Sequence, residues 1–193
     1  MIELPKLVLA SGSPRRSEIL ASVGWDFIKH SPDIDESELP GEPAERYVVR
    51  LAAEKAAAVA VQYPDAMVLG ADTTVVIDGQ IIGKPIDIDD ARRMLAMLAG
   101  NWHEVLTGVA IVADGGTRTG LQRTRVKFAP MSEAEIDLLA TRGDPLDKAG
   151  AYAVQAQAAL FIESIDGDYW NVVGLPISLV YRMVSSLQSE RLP

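Results

Sequence analysis

The side chains in this sequence with the most to offer chemistry are carboxylates and cations. There is no cysteine, and the only histidines are His30 and His103, which excludes disulfides, thiolate nucleophiles and cysteine- or histidine-rich metal sites. The first cluster of interest is Ser11-Gly12-Ser13-Pro14-Arg15-Arg16, between the apolar run Leu7-Val8-Leu9-Ala10 and Ile19-Leu20. It reads as strand, tight polar loop and helix. Ser13 suits the N-cap, Pro14 the first helical position, and Ile19, Leu20 and Val23 the apolar face. Arg15 and Arg16 then fall in the first turn, where a cation opposes the helix dipole by roughly 0.3 to 1 kcal/mol. An anion such as a phosphate chain reverses that cost and satisfies the free N-H groups. The alternative is that both arginines lie in solvent.

Asp72 interrupts the apolar run that starts at Met67. A carboxylate there has to be hydrogen-bonded, paired or bound to metal. It is either a structural carboxylate or a site residue, in the second case a proton acceptor or a ligand for a cation that activates water, and its replacement by Asn is expected to leave stability level or higher. Lys55 lies on the apolar face of a helix expected over Pro43 to Val61, with Val48, Leu51, Ala52 and Val59. It either snorkels to water, the commoner case, or enters a cleft to meet phosphate. Lys84 sits in the Gly83-Lys84-Pro85 loop, and Lys148 in the small-residue segment Asp147 to Gln155. The small residues there allow backbone close to a ligand, and the Gln155 carboxamide can complement the O4 acceptor and N3-H donor of uracil or thymine. Ser31 to Gly41 is an acidic loop bounded by proline, either an ordinary solvated connection or a source of oxygen ligands for magnesium or a similar hard cation. His103, near a strand edge, reads as structural rather than as a substrate contact.

The 193 residues, 48% hydrophobic, can bury a sizeable core in one domain, or two lobes sharing one sheet. A net charge of -9 argues against polymeric nucleic acid as a partner and leaves room for a small anionic substrate met by clustered cations. No signal peptide or long apolar span appears, so the expectation is a soluble cytoplasmic protein without membrane contact. The alternation of strand and helix patterns, with hairpins marked by Asp78-Gly79 and Gly115-Gly116, predicts an α/β fold with a mixed twisted sheet flanked by helices. Further helices are expected after Asp87, after the Ser132 to Glu135 capping box, and from Ile177 to Leu187.

Three separated groups of residues resemble one family. Leu9 to Arg16, Gly70-Ala71-Asp72-Thr73 with Gly83-Lys84-Pro85, and Asp147 to Tyr152 with Val173-Gly174-Leu175-Pro176 are similar to the Maf nucleoside triphosphate pyrophosphatases, in order and over nearly the whole chain. The resemblance implies an elongated, two-lobed, inosine-triphosphatase-like fold spanning residues 1–193, a central cleft holding the site, and a homodimer. It implies hydrolysis of a nucleoside triphosphate to monophosphate and pyrophosphate. The segment to Gln155 resembles the branch acting on dTTP and UTP. Asp72 and Glu36 would hold a divalent metal, magnesium or manganese, and Lys55 and Lys84 would serve catalysis with them. Ser11, Ser13, Arg15, Arg16, Thr73, Lys148 and Gln155 would bind substrate. The implied purpose is house-cleaning of nucleotides, with an association with septum formation. Ala156 departs from the glycine that relatives commonly carry after the glutamine. The alternatives are a nucleotidyltransferase, or a nucleotide-binding regulator of cell division without turnover.

Overall fold

A computed structural model of the protein describes residues 4–190. Its scaffold is a seven-stranded mixed sheet: β1 (Leu7–Ala10), β2 (Phe27–His30), β3 (Met67–Ile77), β4 (Gln80–Ile82), β5 (Trp102–Ala113), β6 (Gly116–Phe128) and β7 (Ile162–Asp166). The order is β2-β1-β3-β5-β6-β7, with β4 on β3. β1 is parallel to both β2 and β3, whereas β3/β4 and β6/β7 are antiparallel. The helices are α1 (Pro14–Ser22), α2 (Ala44–Ala60), α3 (Ile88–Leu98), α4 (Glu133–Arg142), the short α5 (Tyr169–Val173) and α6 (Ile177–Glu190). This is the mixed α/β sheet with flanking helices that the alternating pattern calls for.

Contacts divide the protein into two compact units. The first holds the described parts of Met1–Asp72 and Gly174–Pro193, with Thr107–Gln122; the second holds Thr73–Leu106 and Arg123–Val173. In the first unit, Val8 and Ala10 of β1, Val68 of β3 and Ala110 of β5 form a core with Ala52, Ala56 and Val59 of α2. The residues facing α2 are small, and two are absent altogether: a Cβ on Gly70 would lie 2.2 Å from the Ala52 carbonyl oxygen, and one on Gly108 2.2 Å from that of Val48. These two glycines let the α2 backbone rest directly on β3 and β5. The second unit contains α3, capped by the Asp87 side chain accepting from Asp90 N at 2.8 Å, and α4, opened by the expected Ser132/Glu135 capping box. Arg92 on α3 pairs with Asp137 on α4 at 2.6 Å.

One sequence expectation shifts: Val23 follows α1 and is exposed, leaving Ile19 and Leu20 as the buried apolar pair. Asp72 sits within β3, with the buried Thr74 to Ile77 beyond it. Gln157–Leu160 is wound into a 3-10 turn before β7, and α5 was not anticipated.

Candidate active site

The first unit holds seven of the predicted site residues, Ser11, Ser13, Arg15, Arg16, Glu36, Lys55 and Asp72, and the reason some of them meet is geometric. Gly70 faces α2, and strand side chains alternate, so Asp72 two residues later faces α2 as well. On the helix, Lys55 is one turn beyond Ala52, on the same stripe. The two meet with Lys55 Nζ 2.7 Å from Asp72 Oδ1. Lys55 therefore does not snorkel: its side chain is 8% exposed and that of Asp72 9%. Lys55 Nζ also lies 3.0 Å from Glu36 Oε1, a carboxylate 49% exposed. One buried ammonium is thus shared by an interior and a surface carboxylate.

Arg16 feels the charge of both carboxylates. Its Nη1 donates to Ser11 Oγ at 3.0 Å and its Nε to the Gly174 carbonyl at 2.9 Å, and it is buried. Burial lowers the guanidinium pKa and the neighbouring Arg15 lowers it further, while the negative charges of Asp72 and Glu36 act the other way. An arginine stays charged under such conditions, so the reading that both arginines lie in solvent fails for Arg16. Arg15 is half-buried. Ser13 takes the N-cap position without a side-chain cap bond, and its N-H donates to Ser11 Oγ at 3.2 Å. Ser11 Oγ therefore ties the loop after β1 to the first turn of α1, leaving the helix N-terminus uncapped by Ser13.

The remaining predicted residues belong to the second unit. Lys148 is buried, and its Nζ is bonded to Asp147, to the Asp144 carbonyl, and to Asp144 Oδ2 at 3.2 Å. Its charge is met by its own segment. Gly150 N donates to the Gly83 carbonyl at 3.0 Å, which ties that segment to the loop carrying the exposed Lys84. A Cβ on Gly150 would lie 2.9 Å from Val75 Cγ2, so the small residue there serves packing on β3. Thr73 is half-buried. Gln155 is exposed. Ala156 has φ -115 and ψ -156, extended backbone that any residue adopts, so the departure from glycine causes no strain.

His103 is structural. It is 2% exposed, its Nε2 lies 2.7 Å from the Tyr152 hydroxyl, and its ring packs edge-on against Phe128 and Tyr152. Burial pulls its pKa down to about 4. Tyr47 and Arg50 of α2, for which no role was legible in the sequence, bond the segment that carries Glu36. Tyr47 donates its hydroxyl to the Glu36 carbonyl at 3.0 Å. The Tyr47 phenol is pushed up to about 12 by burial and then by Asp72 and Glu36.

A divalent metal can be weighed against the donors. Among the described residues, no group of three or more His, Cys, Asp or Glu is placed to hold a metal ion. Two carboxylates converge on Lys55 instead. Magnesium is commonly bound through one or two carboxylates together with substrate phosphates and water, so Asp72 and Glu36 fit a metal shared with a phosphate ligand and not one caged by protein alone. Among the described residues no helix is long and apolar enough to cross a membrane.

Comparison with known proteins bears on this constellation. A protein named dTTP/UTP pyrophosphatase from Hahella chejuensis (strain KCTC 2396) is 53% identical over 175 residues, covering 89% of this chain and 87% of that protein. One of the same name from Symbiobacterium thermophilum is 47% identical over 182 residues, 94% of each chain. The Myxococcus xanthus (strain DK1622) protein of that name is 46% identical, covering 97% of this chain and 93% of that one. Among solved structures, that of the Staphylococcus aureus Ham1 protein overlaps with TM-score 0.45 and 16% identity, covering 64% of this chain and 72% of that one, too distant an overlap to bear on the site. The profile described as Maf-like protein matches residues 6–187, which contain every residue of the site described above, and the chain belongs to the Maf family.

Proposed function

We propose that this protein hydrolyses dTTP and UTP to the monophosphate and pyrophosphate. The observation that carries the reading is the Lys55 ammonium held between Asp72 and Glu36. It lies in a chain about half identical to proteins named for that activity. Water attacks the α-phosphorus, the bond to the oxygen bridging to the β-phosphate breaks, and pyrophosphate leaves. Asp72, oriented through Oδ1 by Lys55, accepts the proton of the attacking water. Lys55 and the guanidinium groups of Arg15 and Arg16 balance charge that builds on the phosphate oxygens. Ser11 holds Arg16 in place and Ser13 keeps the α1 N-terminus open to phosphate. A magnesium-type cation held by Asp72 and Glu36 would, when bound, neutralise phosphate oxygens and acidify its own water. We assign substrate roles to Thr73, Lys84, Lys148 and Gln155 on their family motifs; the exposed Gln155 carboxamide is free to read a pyrimidine edge. The expected assembly is a homodimer.

The test is pyrophosphate release from a panel of triphosphates with no acceptor added. UTP and dTTP should turn over best, and Asp72→Asn should lose roughly 10³-fold or more in kcat, in line with loss of a general base or a preorganised charge. Gln155→Leu should narrow the preference for pyrimidines over purines. Turnover that requires an acceptor alcohol or phosphate would instead identify a nucleotidyltransferase, and tight nucleotide binding without release would identify a regulator.

A further inference from the structure

Glu36 stands in a segment, residues 31–43, with no helix or strand of its own, and its carboxylate is half-exposed, yet it meets Lys55 at 3.0 Å. What sets its position is a second stripe of α2. Tyr47, Arg50 and Glu54 are spaced by three and four residues, so they share a face. Tyr47 holds the Glu36 carbonyl, and Arg50 Nη2 donates to the carbonyl of the next residue, Ser37, at 3.0 Å. The same guanidinium grips the Glu42 carboxylate with Nε and Nη2, both at 2.7 Å, and reaches Glu54 through Nη1 at 3.2 Å. The hydrogen bonds from Arg50 hold the Glu42 carboxyl below its usual range. Glu42 Oε2 in turn accepts from Leu39 N at 3.3 Å. The fork geometry is specific to arginine, since a lysine offers a point charge and cannot bond a carboxylate with two parallel N-H groups.

We propose that Arg50, with Tyr47, is a positioning residue for the reaction: it clamps the loop so that Glu36 is presented to Lys55. This rests on the reading of Glu36 given above. One helix thereby supplies Lys55 from its buried stripe and places the partner carboxylate with its polar stripe. Holding the loop in advance removes an ordering cost at each substrate encounter, and a misplacement of about 1 Å can cost on the order of 10²-fold in rate.

The experiment is a double-mutant cycle on kcat and KM with UTP, joined to hydrogen exchange of residues 35–42. Arg50→Met should lower kcat roughly 10-fold to 10²-fold with a smaller change in KM, and Arg50→Lys should not restore it. Combined with Glu36→Gln, it should add less than about 3-fold to the loss from Glu36→Gln alone, because coupled residues are not additive. Exchange in the loop should quicken while that of α2 stays slow. If Arg50→Met does not fold, Glu42→Gln loosens the same clamp and should show the same exchange and the same lack of additivity. Losses that multiply in the double variant, or unchanged loop exchange, would overturn the positioning role. A fully active Glu36→Gln would defeat the reading of Glu36 and this role with it. An impaired Glu36→Gln beside a normal Arg50→Met would defeat the role of Arg50 alone.

Discussion

Two adjacent arginines illustrate how burial separates residues that look alike in sequence. Arg16 is buried, with hydrogen bonds to Ser11 Oγ and the Gly174 carbonyl, so it joins the β1 loop to the residue preceding Leu175 and Pro176. Arg15 is half-buried. Arg15→Ala should lose about 10²-fold or more in kcat/KM, as for removal of one charge-stabilising donor, with a smaller change in melting midpoint than Arg16→Ala. Arg16→Ala should lose activity and about 1 to 3 kcal/mol of stability as well, because the buried Gly174 carbonyl loses the Arg16 Nε donor, while Ser11 Oγ keeps that of Ser13. Parallel denaturation and kinetics on both variants check this, and equal stability would remove the structural part. The same logic revises Asp72: its partner Lys55 is buried, and breaking a buried pair leaves an uncompensated charge. The expectation that Asp72→Asn keeps or gains stability gives way to one of loss, softened by Glu36.

At the level of elements, the site depends on how closely α2 lies on the sheet. Val48, Leu51, Ala52 and Val59 are buried as the periodicity foretold, and Lys55 and Ala56 are buried on the same face. The depth of that burial comes from Gly70 and Gly108, where no side chain intervenes. Gly70→Ala should push α2 outward, costing about 1 to 3 kcal/mol by overpacking and occasionally more. Because Gly70 and Asp72 share a strand face, the same shift should stretch the 2.7 Å Lys55 to Asp72 contact and lower kcat by at least about 10-fold. Chemical denaturation with steady-state kinetics reads both. A destabilised variant with full kcat would show that the site tolerates movement of α2.

For the molecule as a whole, the pH dependence of stability should carry the mark of His103. Its folded pKa is about 4, against an ordinary value of about 6.5 in the unfolded chain. The unfolded state then binds more protons between those values, so stability rises with pH across that window. His103 burial is without penalty above about pH 6.5 and costs up to about 3 kcal/mol as pH falls toward 4. Urea midpoints from pH 7 to 4 should fall accordingly, and His103→Phe should flatten that limb. The lowered carboxyls of Asp35, Glu42, Asp90 and Glu135 act in the same direction but mainly below pH 5, since their stabilisation is lost as pH falls through their folded values. An unaltered slope in His103→Phe would assign the whole acid limb to carboxylates.

The sequence by itself determined the elements and the chemical repertoire. Periodicity, the Asp87 and Ser132 caps and the Asp78-Gly79 turn are local signals, and local signals specify helices, strands and hairpins. The absence of cysteine left carboxylates and cations as the reactive groups. Asp72 was legible because a charge inside an apolar run has to be accounted for wherever the chain goes. The tertiary structure alone decided partnership and depth. Lys55 and Asp72 are 17 residues apart, and their contact exists because two glycines in neighbouring strands let a helix down onto the sheet. The burial of Arg16, the exposure of Gln155 and the grip of Arg50 on the Glu36 loop likewise depend on which faces pack together, and no periodicity within a single segment carries that information.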